Sequence, residues 1–284
     1  MPLFLSSLAK EASVLSSVRI LGASLLSLRR ETGNGQSWNR LWLQASFAMV
    51  VAGDGGPQDR AIDSLLHSAE RELAAGFPSA ARHDSFVLGR AAAKAALSLW
   101  PAMPAPQDVW IEPGVFGQPV IRGPRAMDNS LRISISHIPA CAVAIAFDAA
   151  HPMGIDLESV TPDAVPDVMR AATPAECVLL DTLTDHTQTD HASILWSAQE
   201  SLAKALGTGL MISPGLYEID HMELIPDGRV VCSFTHFAQY KAICSRTAQG
   251  WCAIALPKNT FIASLPSYLA APSRLSLTVR ATAC

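Results

Sequence analysis

Four short strand candidates, at residues 108–112, 119–122, 131–136 and 141–147, follow one another with only Gly- and Pro-bearing turns such as EPGVFGQP between them. Upstream, a first strand candidate over 40–52 and the loop GDGGPQD lead into two successive helical stretches, 61–75 and 82–99. The second of these, RHDSFVLGRAAAKAALSLW, is rich in Ala and Leu, carries Arg90 and Lys94 on one polar face and is stopped by Pro101, Pro104 and Pro106. The second half has the same style. A strand over 153–158 precedes a helix near 163–171, a capped start at Thr173-Pro174, and a helix over 192–206 closed by Gly207-Thr208-Gly209. Strands near 216–224, 229–235, 239–246 and 250–256 complete it. Helices and strands do not alternate one for one, which predicts an α+β fold with antiparallel sheets over a doubly wound parallel sheet. The expected division is an N-terminal extension over 1–39, subdomains over 40–150 and 151–256, and a tail over 257–284.

The chain has 284 residues, 49% hydrophobic and 16% charged, which excludes global disorder. A net charge of −4 gives no whole-chain argument for nucleic acid. None of the six cysteines has C-x-x-C spacing, and Cys141, Cys232, Cys244 and Cys252 fall in apolar strand-like stretches, as small core residues do. Ser interrupts the apolar runs of the first thirty residues, so neither a secretory core nor a membrane span is read there. An amphipathic helix or unstructured leader is expected over this stretch, and a cytoplasmic protein overall. The loop around His186, Asp190 and His191 is expected to be solvated.

Two short segments carry chemistry. In Gly154-Ile155-Asp156-Leu157-Glu158, strand alternation places Asp156 and Glu158 on one face. In Trp196-Ser197-Ala198-Gln199-Glu200-Ser201-Leu202-Ala203-Lys204, Glu200 and Lys204 share a helix face. Three carboxylates are hard oxygen donors of the kind Mg²⁺ takes, and an ammonium beside them suits a phosphate-bearing substrate. Taken singly, each segment reads equally as an exposed strand face and an exposed i, i+4 ion pair.

In this order, about forty residues apart, GIDLE and WSAQESLAKALGTGL resemble the paired motifs of the 4′-phosphopantetheinyl transferases. RISISHIPACAVAIA, ending its strand at Ser136-His137, is similar to a further family segment, as are FVLGRAAAKAAL and FGQPVI. The resemblance covers about residues 40–256 and is greatest to the surfactin-type, pseudo-dimeric branch. It implies two similar subdomains, each with a small antiparallel sheet and packed helices, in a chain that acts as a monomer. It implies transfer of phosphopantetheine from coenzyme A to a serine of an acyl, peptidyl or polyketide carrier protein, with Mg²⁺ as cofactor and 3′,5′-ADP released. Such carriers serve fatty acid, polyketide and nonribosomal peptide biosynthesis. The metal ligands would be Asp156, Glu158 and Glu200; the catalytic residues Glu200, Lys204 and Asp156; the coenzyme A contacts His137, Ser136, Arg90 and Lys204. Lys94 is expected to be solvated.

Two positions depart from the family pattern. Gln199 stands where Lys or Arg is usual, and Gln118 replaces the lysine of the turn. Each change is expected to remove one charge-assisted contact to an anionic ligand. They motivate an alternative, a weakened relative that binds coenzyme A or carrier protein without efficient transfer. An unrelated Mg²⁺-dependent phosphohydrolase is the other rival.

Overall fold

The computed structural model describes residues 15–33, 38–124, 130–209 and 213–263. Two antiparallel sheets stack face to face, each covered on its outer side by one long helix. The first sheet contains β1 (Ser17–Gly33), β2 (Trp38–Ala52), β6 (Leu131–Ile138), β7 (Cys141–Asp148) and β13 (Thr260–Ile262), in the order β13-β1-β2-β7-β6. The two-residue β3 (Arg60–Ala61) pairs with β1, and β4 (Trp110–Pro113) and β5 (Pro119–Arg122) form a separate hairpin. The second sheet runs β8-β12-β11-β10-β9, from β8 (Gly154–Glu158), β9 (Ile219–Leu224), β10 (Val230–Phe234), β11 (Tyr240–Arg246) and β12 (Trp251–Pro257). The helices are α1 (Ser68–Ala75), α2 (Ala80–Leu97), α3 (Val165–Ala171), α4 (Pro174–Asp181) and α5 (Gln188–Leu206).

The layering follows from side-chain size. On β7, Ala142, Ala144 and Ala146 face α2, whose Ala91, Ala92, Ala95 and Ala96 belong to the same cluster. Small residues on both surfaces let helix and sheet approach closely. Its alternate residues Cys141, Val143, Ile145 and Phe147 face the other way and meet Ile155, Leu157, Ile243 and Ile254 of the second sheet. Each such side chain stabilises the seam by roughly 1.5–3 kcal/mol on burial. Cys141, Cys232, Cys244 and Cys252 are buried core residues, as their setting predicts.

The halves share one device. His67 caps α1 with a capping box whose Glu70 is buried; Glu70 accepts from Ile111 N at 2.9 Å and pairs with Lys94 Nζ at 2.8 Å. Thr173 caps α4 with a capping box whose Glu176 is buried; Glu176 accepts from Ile219 N and from Gln199 Nε2, both at 2.9 Å. In each half a buried cap carboxylate therefore ties a short helix to the following long helix and to a strand.

Several expectations are corrected. Over 17–33 the chain is neither a helix nor an unstructured leader: β1 pairs with β2 along its length, so those residues belong to the first sheet. Residues 1–14 lie outside the described residues. The expected helix over 61–75 starts only at Ser68, after a 3-10 turn over Ile62–Ser64. The start of the expected tail returns to the first sheet as β13, where Leu28 pairs with Ile262; residues 264–284 lie outside the described residues. The polar loop near 190 is not solvated: Thr187 caps α5, and Asp190 and His191 are buried in its first turn. Burial works against ionisation of Asp190, but hydrogen bonds from Trp251 and Thr187 and the Arg246 cation prevail and hold it at about 2. Lys94 is 1% exposed and donates to Pro106 O at 2.8 Å and to Val109 O as well as pairing with Glu70.

Candidate active site

The GIDLE segment forms β8, an edge strand whose apolar Ile155 and Leu157 lie in the seam and whose Asp156 points to the α5 side. Gly154 permits this approach. A Cβ there would lie 2.0 Å from Ser201 O and 2.5 Å from Ala205 N, closer than any side chain allows. With strand and helix backbones in contact, Lys204 Nζ reaches Asp156 Oδ1 at 2.5 Å. Gly207, left-handed at φ 70°, ends α5 just past Lys204 and donates to Ala203 O and Lys204 O.

Asp156 is 2% exposed, and its Oδ1 also accepts from Ser136 Oγ at 2.7 Å. Its Oδ2 is buried with no partner among the described residues. Burial, and then the charges of Asp156 and Glu200, push Glu158 up to about 7 against the pull of Lys204. Burial also raises Glu200, with Lys204 opposing and Asp156 adding to the rise. The three carboxylates and the lysine thus act on one another, as the two segments predict. Among the described residues, no three His, Cys, Asp or Glu side chains stand close enough to hold a metal ion as they are. Lys204 and Ser136 occupy Asp156 Oδ1, and the vacant hard donor is Oδ2. An unpartnered buried oxygen beside two carboxylates of raised pKa is the donor chemistry that suits a divalent cation.

Two clefts meet at β6. One, of about 480 Å³, is lined by Glu200, Lys204, Gln118, Arg132 and Phe116, with Gly207 and Gly209 at the end of α5. The other, of about 460 Å³, is lined by Arg82, Arg90, His137, Phe77 and Phe86. Ile135 lines both. His137, in the second cleft, is held below the usual imidazole range by enclosure and by the Lys204 and Arg82 cations, with Asp156 opposing. Arg90 stacks over Phe86 at 4.4 Å, and its Nε stands 3.6 Å from Glu70 without a hydrogen bond.

Lys204 therefore meets Asp156, with Glu158 and Glu200 in electrostatic reach of the pair, and Arg90 and His137 line the adjoining cleft. Ser136 is turned to Asp156, donating to its Oδ1. Gln199 is buried against Glu176 and lines neither cleft; its departure from the family pattern touches the core. Gln118 does line the cleft. Sequence reasoning missed Arg82, although its signal was present: Arg82, Phe86, Arg90 and Lys94 recur at i, i+4 along α2. Each step advances about 40° around the helix, so the stripe turns from the open cleft at Arg82 to the core at Lys94.

Residues 152–255 match the family described as the 4′-phosphopantetheinyl transferase superfamily. Over those residues the chain is similar to that superfamily. The superfamily match contains β8 and α5, hence Asp156, Glu158, Glu200 and Lys204, whereas Arg82, Arg90 and His137 lie upstream of it. A protein of Bacillus subtilis named 4′-phosphopantetheinyl transferase is 31% identical over 141 residues, which is 46% of this chain and 60% of that protein. The chain thus spans less than two thirds of the length of this superfamily relative. No described helix is long and apolar enough to cross a membrane.

Proposed function

We propose that the protein transfers the 4′-phosphopantetheine group of coenzyme A to a serine hydroxyl of a carrier protein, with Mg²⁺, and releases 3′,5′-ADP. The observation that carries this is the 2.5 Å Lys204–Asp156 pair, with Glu158 and Glu200 in its field, at the junction of two clefts that hold Arg82, Arg90, Arg132 and His137. A chain of cations leading to a carboxylate cluster suits an extended polyanion whose reacting phosphate meets a metal. The superfamily and the name of the Bacillus subtilis relative support the same reading.

In this reading the serine Oγ forms a bond to the β-phosphorus as the phosphoanhydride P–O bond breaks, and the serine proton passes to a carboxylate. Glu200 is the base, because it lines the cleft and burial raises its affinity for a proton. Lys204 offsets charge on the leaving phosphate, and Arg82, Arg90 and His137 hold the rest of the donor. Asp156, Glu158 and Glu200 would hold Mg²⁺, which supplies charge neutralisation at the pyrophosphate. Ser136 keeps Asp156 in place. The protein would work in the cytoplasm, where coenzyme A and carrier proteins meet.

The test is to incubate the protein with coenzyme A, Mg²⁺ and a panel of unmodified acyl, peptidyl and polyketide carriers, and weigh each carrier. A gain of one phosphopantetheine is expected, and Asp156→Ala should abolish it. No gain on any carrier refutes transfer. The weakened-relative reading keeps one supporting observation, Gln118 in the cleft where a lysine is usual; coenzyme A binding without turnover would favour it.

A further inference from the structure

A third cleft, of about 600 Å³, shares no lining residue with the two already described. It is a notch at the corner of the first sheet, where β1 and β2 run on beyond the end of β7. Its walls include Arg30, Leu43, Gln44, Trp100, Asp148 and His151. His151 is 3% exposed; its Nε2 lies 3.2 Å from Thr260 Oγ1 of β13, and its Nδ1 is buried with no partner among the described residues. The Thr260 contact is compatible with either ring tautomer; in the one where the Thr260 hydroxyl donates to Nε2, the proton resides on Nδ1 as a buried N–H donor. Burial and the Arg30 cation, with Asp148 opposing, press His151 down to about 4 and keep the ring neutral.

Arg30 supplies the second half of the site. It makes no ion pair among the described residues, since the adjacent Glu31 pairs with Arg29. The one acid among the described wall residues is already engaged: Asp148 Oδ1 accepts from Ala150 N at 2.7 Å and Oδ2 from Ser130 Oγ at 3.2 Å. Trp100 is fixed by its Nε1–H bond to Ser46 Oγ at 2.7 Å, and with Leu43 it gives the notch an apolar side. A guanidinium unpaired among the described residues, and in the wall beside it a buried ring nitrogen that can carry an N–H, have complementary chemistry in common: acceptor oxygens bearing negative charge.

We propose that this notch binds a small oxyanion, a carboxylate or phosphate group on a compact body, through Arg30 and His151 Nδ1–H. The connection from β7 to β8 gives the site its place in the molecule. Phe147, Ala149 and Pro152 line the Lys204 cleft, while Asp148, Ala150 and His151 line the notch. An occupant of the notch therefore packs against the back of the segment that leads into β8 and Asp156.

The test is calorimetric titration of the full chain with benzoate and, separately, with inorganic phosphate, in wild type and in Arg30→Gln, His151→Phe and Lys204→Met variants. Saturable binding of at least one probe is expected, weakened about tenfold or more in Arg30→Gln, which removes a charge-assisted bond, and retained in Lys204→Met. Tighter benzoate binding identifies a carboxylate on an apolar body, and tighter phosphate binding a phosphoryl group. No saturable binding of either probe overturns the proposal. So does equal affinity in wild type and Arg30→Gln, or loss confined to Lys204→Met, which would place the anion in the transfer cleft. Arg30→Gln keeps the test decisive if His151→Phe does not fold, and neither outcome depends on whether the protein transfers phosphopantetheine.

Discussion

Gln199→Leu separates a ligand contact from a core contact. If the side chain grips coenzyme A, as its place in the motif suggests, removing its amide raises KM for coenzyme A and leaves stability alone. The structure places it elsewhere: Gln199 Nε2 donates to Glu176 Oε1 at 2.9 Å, and Glu176 is 1% exposed. Leucine keeps most of the volume but removes a donor to a buried carboxylate, a loss of about 1.5–3 kcal/mol for a bond to a charged group. Glu176 keeps its bonds from Thr173 N and Ile219 N, which sets the expectation near the middle of that range, about 2 kcal/mol. For a chain of this size that corresponds to a fall in Tm of roughly 4–8 °C. Urea unfolding gives the stability and a coenzyme A titration of the transfer rate gives KM. The expected pair of results is a lower unfolding midpoint with KM unchanged. An unchanged midpoint with a raised KM would refute the placement of α5 and return Gln199 to the ligand. Gln199→Lys is expected to fold, because Lys94 makes the corresponding bond to Glu70 in the other half.

The metal-free protein should lose stability as pH rises from about 4.5 to about 7. Over that window the native state keeps the Glu158 proton, while the unfolded chain, with an ordinary carboxylate pKa, has released it. Glu158→Gln should remove this slope in thermal melts taken in chelator, and an identical slope in the variant would exclude Glu158 as its source. His151 acts in the opposite sense: its depressed pKa means that the unfolded chain takes up a proton first as pH falls from 6.5 toward about 4, so stability is lost toward acid; His151→Phe should flatten that limb of the pH–Tm curve. Gly154→Ala should destabilise by at least the upper end of the roughly 1–3 kcal/mol typical of overpacking, because its Cβ would meet the α5 backbone. It should also depress transfer by parting Asp156 from Lys204; wild-type activity and stability in this variant would show that β8 and α5 are farther apart than described.

Sequence was informative wherever one residue type has a single use at a given spacing. Asp156 and Glu158 two apart on a strand, and Glu200 and Lys204 four apart on a helix, define faces without any knowledge of the fold, and the faces meet. The same logic located the Thr173 cap and the Gly207 terminus. It failed where the partner is remote in sequence. Gln199 and Lys94 are polar residues in amphipathic helices, and nothing in their own helices discloses that a cap carboxylate from a preceding helix waits in the core for each. Residues 17–33 were opaque for a related reason: a strand interrupted by Ser and bulged between Ile20 and Gly22 breaks the period-two pattern, and only its partner β2 imposes the extended form. Arg82 is the intermediate case. Its four-residue spacing from Phe86 and Arg90 was visible, but the slow rotation of that stripe around α2 decides which end meets a ligand and which meets Glu70, and the direction of rotation acquires meaning only once β6 and β7 fix which side of the helix is buried. The proposed catalytic face is thus written in short-range spacing, whereas the cleft proposed to hold the rest of the donor is set by how a helix is rolled on its sheet.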